Sequence, residues 1–394
     1  MLFQTFDDKE KCVLIYQDGA LRKHFEGPSL SSTWSYANYL RHQSIEYAQI
    51  WAHGASLESV CPPHLHNAFQ AGQLRLKALI RSCNEARVNL DDICFYDLAP
   101  QTFLLEWGDI KDQICAHVFK EKEKPLIYDH LVNTIKVISE IKYQPVAINL
   151  ARMKKNSVKD RNMFKLMASC QKVIAYDPFK TVTGRLATRS GTFPALTLAK
   201  EYRQVLTPTN EWFLELDFNA AELRTACALL GHEQPTDDIH DWNIKNVFKT
   251  SMSREEAKKR TFGWLYNPDF QDSTLNAIYD RDKIKDKYFS GTSVITDFKR
   301  EIECDEYHAL NYIIQSTAAD ILFEQMYKVW RYLENKKSFI KFCNHDSIMI
   351  DLAAEDENDV NEIKGIFANT RYGDFKINCL GGKNWGFMKP LRIY

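Results

Sequence analysis

Two aspartates and one helical stripe hold the residues best suited to chemistry in this chain. Asp217 lies near the end of an apolar run, Trp212 to Phe218, where strand-like composition gives way to the helical pattern of Ala220-Ala221-Glu222-Leu223-Arg224. Asp346 lies in Asn344-His345-Asp346-Ser347, between an apolar run ending at Phe342 and the alternating Ile348, Ile350 and Leu352. That pattern predicts a β-hairpin with an Asp at its tip. Such a turn is ordinary in isolation, but two carboxylates delivered to one place form the donor set of a divalent-metal site. Arg254, Lys258, Phe262 and Tyr266 recur every four positions. Each is offset by about 40° from the last on a helix, so one face shows two cations and then two rings. Cations near a helix N-terminus suit a polyphosphate, because the unpaired N–H groups and the dipole already favour anions there. Rings one and two turns further on suit a flat base and its sugar, the layout of a nucleoside triphosphate. A solvated cationic face beside two core rings has the same pattern, and the helix alone does not separate the two readings.

The flanking sequence sets the elements that must position these groups. Ser253-Arg254-Glu255-Glu256 has the form of a capping box, and Asn267-Pro268 stops the helix that it starts. Asn219 with Glu222 reads as a second capping box, opening a helix from Ala220 to Leu230 that ends at Gly231. Thr181 to Arg189 is a polar loop containing Gly184, suited to close backbone approach. Asn311 and Gln315 lie at i and i+4, where amides on one helix face suit hydrogen bonding to minor-groove acceptors. His240, in Asp238-Ile239-His240, fits a local hydrogen-bonding role as well as a ligand contact.

In order along the chain, these segments resemble the motifs of the family A DNA polymerases, the DNA polymerase I-like group and its phage relatives. Leu216-Asp217-Phe218-Asn219-Ala220-Ala221-Glu222-Leu223-Arg224 is similar to motif A, Arg254 through Tyr266 to motif B, and Asn344-His345-Asp346-Ser347 to motif C. Thr181-Val182-Thr183-Gly184-Arg185-Leu186 resembles the family's TGRL segment, and Asn311 through Asp320 its long palm helix. Gly382-Lys383-Asn384-Trp385 resembles the C-terminal segment. The resemblance implies an α+β right-hand polymerase fold (palm, fingers, thumb) preceded by a small α/β N-terminal domain, in a compact phage-type form. It implies DNA-directed DNA synthesis on a primer 3′-OH with two Mg²⁺ ions held by Asp217 and Asp346. Lys258 is then both a phosphate neutraliser and a proton donor to pyrophosphate. Arg254, Phe262, Tyr266, His240 and the steric gate Glu222 are implied to bind the dNTP. Arg185, Asn311, Gln315 and His345 are implied to contact primer-template DNA. Ser347 departs from the Glu that most relatives carry, and Tyr307 stands where many have Arg. Single-subunit RNA polymerases commonly have Ser or another residue at the Ser347 position, so an RNA polymerase or primase-like enzyme stays open. Glu222 and Phe262-Gly263-Trp264-Leu265-Tyr266 stand against it. A non-catalytic nucleic-acid-binding polymerase subunit is the other alternative.

At 394 residues the chain has room for two or three domains. The expected division is a small α/β domain at 1–100, either a degenerate exonuclease-like remnant or a docking module, a helical thumb-like region at 101–180, and a polymerase core of palm and trimmed fingers at 181–394. Fifty-one Lys plus Arg against 52 Asp plus Glu leave a net charge of −1, so any DNA binding must use local patches. The densest basic run is Arg152-Met153-Lys154-Lys155 with Lys159-Asp160-Arg161. Lys154 and Lys155 there suit phosphate contacts or an ordinary solvated loop. Ten cysteines without a Cys-x-x-Cys pair argue against zinc and a disulfide framework, and for reduced thiols in a cytoplasmic setting, the host's if the chain is phage-encoded. No signal peptide or membrane span is expected. Near the N-terminus, Cys12 to Tyr16 with Gln17-Asp18-Gly19 predicts a hairpin, Ser32 to Leu40 a helix, and Glu46 to Ala52 a strand. Asp8 and Glu10 read as solvated turn residues, not as part of an active proofreading exonuclease. Besides DNA and dNTPs, candidate partners are a processivity factor, a helicase or a single-strand binding protein.

Overall fold

The computed structural model describes residues 1–24, 30–153, 156–267 and 269–391. They fall into two compact units, Met1–Tyr143 and Gln144–Tyr394. The unit boundary thus lies inside the expected 101–180 region, whose first two helices belong with the N-terminal strands.

In the first unit, β1 (Gln4–Thr5), β2 (Ile15–Gln17) and β3 (Ala20–Arg22) form an antiparallel sheet, with the predicted turn at Asp18 and Gly19, both at positive φ. Helices α1 (His66–Glu85), α2 (Gln101–Glu121) and α3 (Tyr128–Lys142) complete the unit. Small residues set the packing distances. A Cβ on Gly72 of α1 would meet the Trp107 ring of α2 at 2.6 Å, and one on Gly108 would meet Tyr16 of β2 at 2.4 Å. Four expectations are corrected here. Ser32 to Leu40 is a two-residue strand, Ser32–Thr33, and one 3₁₀ turn, Asn38–Leu40, because Ser32 and Thr33 pair in parallel with Glu46 and Tyr47. Glu46 to Ala52 is a strand only at Glu46–Tyr47 and then turns into the short helix Ala48–Trp51. Cys12 and Cys94 are joined in a disulfide, so the thiols are not all reduced. Asp8 is also no free turn residue, since it accepts from Lys142 Nζ at 2.6 Å and from the Tyr143 hydroxyl. Glu10 is exposed.

The second unit is organised on one antiparallel sheet. Its elements, in chain order, are α4 (Val158–Ser169), β4 (Trp212–Phe218), α5 (Ala221–Leu229), α6 (Arg254–Tyr266), α7 (Glu306–Leu333), β5 (Phe339–Asn344), β6 (Ser347–Leu352), α8 (Val360–Ala368), β7 (Ile377–Gly382) and β8 (Lys389–Pro390). The strand order is β5-β6-β4-β7-β8. Side chains alternate across a strand. Leu214, Leu216 and Phe218 of β4 therefore share one face, where Phe218 stacks on Phe367 of α8 at 4.4 Å. Phe213, Glu215 and Asp217 share the other. The hairpin β5–β6 is anchored by a buried ion pair, Lys341 to Asp351 at 3.4 Å, whose carboxylate also accepts from the amides of Thr209 and Asn210. Between α6 and α7 lie two short helices, Ser273–Tyr279 and Arg281–Tyr288. Among the described residues, no helix is long and apolar enough to cross a membrane.

Candidate active site

Strand register brings the two aspartates to one end of the sheet. Asp217 pairs with Ser347 on one side and Asn378 on the other. Asp346 sits in the two-residue turn between β5 and β6, where His345 at φ +56° reverses the chain. The Phe218 amide donates to the Asp346 carbonyl at 3.2 Å, tying that turn to the end of β4. Burial, then the neighbouring Asp346 charge, pushes the Asp217 carboxyl up to about 7, against a 3.0 Å hydrogen bond from Asn378 Nδ2. Asp346, although exposed at the turn, is also raised by partial desolvation from the surrounding protein, against a backbone hydrogen bond and the pull of His345, Arg185 and Lys258. Two carboxylates that resist ionising together are suited to a divalent cation, whose charge removes the conflict. Among the described residues, no group of three or more His, Cys, Asp or Glu side chains is placed to hold a metal. The Asp217–Asp346 pair, brought together by the strand register and the Phe218–Asp346 bond, is the candidate site.

A cleft of about 210 Å³ opens at Asp346, with Arg185, Ala220, Glu222, Phe262 and His345 also in its walls. Glu222 is ion-paired with Arg185, joining the predicted gate to the predicted primer-side arginine. The predicted capping box at Asn219 does not form. Ala220 is the N-cap residue, at φ +52°, without a side-chain cap. The Asn219 amide faces away, donating to Asp238 at 2.8 Å and accepting from Arg224 and the Ile239 amide. Arg224 is fully buried and bonds to the carbonyls of Asn219, Pro235 and Asp237. It holds the loop that presents Asp238 and His240. Sequence reasoning gave Arg224 no role, although a cation on the helical side that must face inward was the available signal.

Helix α6 is bounded as predicted, with both hydrogen bonds of the Ser253–Glu256 capping box present. Ala257, Thr261, Trp264 and Leu265 face the core, and of the 254/258/262/266 stripe Arg254 and Lys258 are exposed while Phe262 and Tyr266 are half-buried and pack against the core cluster. Phe262 and Tyr266 stack at 5.8 Å with planes 2° apart. Arg254 is engaged by Asp238 at 2.7 Å. Against burial, which would raise it, hydrogen bonds from Arg254 and Asn219 hold the Asp238 carboxyl well below the usual range. Lys258 is exposed and has no ion-pair partner among the described residues. His240 is buried beside Phe262 at 5.7 Å, its Nδ1 lacking a partner, and burial lowers its pKa.

The remaining predicted residues are more dispersed. Asn311 lines a second cavity with Tyr266, and the Asn311 Oδ1 and Tyr266 hydroxyl both lack partners there. Gln315 is half-buried one turn along α7. His345 is exposed at the hairpin tip, and Tyr307 is 62% exposed. Lys154 and Lys155 lie outside the described residues. Arg300, another residue that sequence reasoning missed, forms a bidentate pair with the fully buried Asp320 at 2.9 and 2.6 Å. Its guanidinium packs on Gly184, next to Arg185.

An antiparallel sheet presenting one aspartate from a strand and one from a hairpin, with a cation-then-ring helix in the same unit, is an α+β fold of the kind found in a polymerase domain. In sequence the chain is 26% identical to DNA polymerase I of Borreliella burgdorferi (strain ATCC 35210 / DSM 4680 / CIP 102532 / B31) over an alignment 263 positions long that covers 52% of this chain. The chain spans 29% of that relative's length. In structure it is similar to the POL domain of Pol1 from M. smegmatis, solved in complex with DNA primer-template and dNTP. That match has a TM-score of 0.63 at 10% identity, over 91% of this chain and 86% of the other. No protein-family model matches.

Proposed function

We propose that the chain is a DNA-directed DNA polymerase that adds deoxynucleotides to a primer 3′-OH. The observation that carries this reading is the convergence of Asp217 and Asp346, with Asp346 lining a cleft shared with Phe262 of the α6 stripe, whose Arg254 and Lys258 are exposed. Asp217 and Asp346 would hold Mg²⁺, which suits carboxylate and phosphate oxygens. When bound, two such ions supply the charge that lowers the primer hydroxyl's pKa and stabilises the leaving oxygen.

The chain's own residues account for the rest. Lys258, exposed and unpaired among the described residues, neutralises the triphosphate and is placed to give a proton to departing pyrophosphate. Arg254 reaches phosphate by exchanging partners with Asp238. Phe262 lies against the nucleotide's sugar and base, and Tyr266 beside the templating base. His240, buried behind Phe262, presents a neutral ring toward the triphosphate. Glu222, steadied by Arg185, closes the space a ribose 2′-OH would need. Arg185, His345, Asn311 and Gln315 face the primer-template. The acidic core of the site requires basic contacts elsewhere, and the exposed Arg152 and Arg161 flank Lys154 and Lys155 in the densest basic run.

Primer extension with dNTPs and then NTPs, on matched and 3′-mismatched primers, tests the reading. Extension with dNTPs is expected, and Asp346→Ala should abolish it while leaving duplex binding intact. A strong preference for NTPs, or extension undiminished in Asp346→Ala, would overturn the assignment.

A further inference from the structure

Glu215 is a carboxylate beside the proposed metal pair to which the mechanism above gives no part. It shares a face of β4 with Asp217, two residues away, where side chains point the same way. It is half-buried, and no ion pair reaches it among the described residues. Its one hydrogen bond comes from Ser347 Oγ, at 3.2 Å to Oε1. The same hydroxyl lies 3.0 Å from the Asn344 carbonyl, across the base of the turn that carries Asp346. Ser347 is also the register partner of Asp217. One hydroxyl therefore links the Asp346 turn to the strand bearing Asp217, and Glu215 is its anchor on that strand.

We infer that Glu215 is a positioning residue of the Asp217–Asp346 pair. Through Ser347 it fixes the turn that presents Asp346, and its negative charge strengthens the pair's hold on a divalent cation. The inference rests on the polymerase reading but assigns a role to a residue outside it. The physical basis is general: carboxylates that bind metal are oriented by outer partners, and loss of such a partner costs about 10-fold or more in metal affinity. Arg203 and Lys200 favour the Glu215 anion from outside the pair and Asp346 opposes it, a conflict that a cation bound at the pair relieves.

Two substitutions separate the contributions. Glu215→Gln keeps an acceptor for Ser347 and removes the charge, whereas Ser347→Ala keeps the charge and removes the bond. Mn²⁺ binding to the protein alone, followed by electron paramagnetic resonance, is the primary readout. Glu215→Gln should weaken it by about 10-fold. Ser347→Ala should shift it in the same direction by a smaller factor. In extension assays Glu215→Gln should raise the Mg²⁺ concentration for half-maximal rate, with the rate recovering at saturating Mg²⁺ and duplex affinity unchanged. If Glu215→Gln does not fold, Glu215→Asp, which draws the carboxylate back, should show the weaker Mn²⁺ binding. Unchanged Mn²⁺ affinity in the folded variant overturns the inference even where the wild type extends primers and Asp346→Ala does not. Absence of extension by the wild type would instead overturn the polymerase reading.

Discussion

At the residue scale, the Asp217 carboxyl is the group most displaced by the site's design. Its value rises from the usual carboxylate figure of roughly 4 to about 7 because burial and Asp346 both oppose its charge. A carboxyl raised on folding binds its proton more tightly in the folded chain than in the unfolded one. The stability it contributes is therefore complete below about pH 4 and is lost as pH rises through about 7. The metal-free protein should accordingly melt at lower temperature at pH 8 than at pH 5, and Asp217→Asn should reduce that difference. Magnesium should raise the melting temperature more at pH 8, where the ionised pair is available to it. Melting curves with EDTA and with Mg²⁺ at the two pH values decide this, and a Mg²⁺ effect that is independent of pH would contradict the assignment.

At the element scale, the loop carrying Arg185 depends on one backbone conformation. Gly184 has φ +76°, and a Cβ there would stand 2.4 Å from the Arg300 guanidinium carbon. Arg300 cannot yield easily, since Asp320 grips it from the buried side of α7. Gly184→Ala should cost roughly 1–2 kcal/mol from the left-handed backbone alone. It should also displace Arg185 from Glu222. Urea denaturation would measure the first effect, and primer-terminus affinity the second. Much of this scale was legible from local signals. Ser253, Glu256 and the period-four stripe set α6, and the alternation after Asn344 set β6, because capping and periodicity are short-range effects. Asn219 was misread for a related reason. Its side chain has a local use as a cap, but Asp238 and the buried Arg224 offered stronger partners brought in by the loop at 234–238. The short pairing of Ser32–Thr33 with Glu46–Tyr47 was equally hidden, since its partner strand lies 14 residues away.

At the scale of the whole chain, a net charge of −1 confines nucleic-acid attraction to patches. Duplex affinity should still fall steeply with salt, each contacting Lys or Arg contributing about 0.9 to the log–log slope. Arg161→Ala should weaken binding on all sequences alike and reduce the slope by about one. Fluorescence anisotropy across a salt series would show it, and a flat series would remove the patch from the binding surface. In the first unit, the Cys12–Cys94 bond closes an 82-residue separation, and its reduction should cost about 4.5 kcal/mol by the chain-entropy argument. A reductant should therefore lower the melting temperature while primer extension at 25 °C continues.

By itself the sequence determined the pieces: a strand ending in Asp217, a hairpin presenting Asp346, and a bounded helix with cations and rings on one face. Each is encoded by neighbours within a few positions. The tertiary structure alone decided the pairings. It set Asp217 opposite Ser347, gave Arg254 to Asp238, joined Arg185 to Glu222, and placed Glu215 within reach of the Asp346 turn. These partners are separated by 16 to 132 positions in the chain. Nothing in local propensity ranks one distant partner over another, and only the sheet register and the buried arginines that brace the loops fix which groups meet.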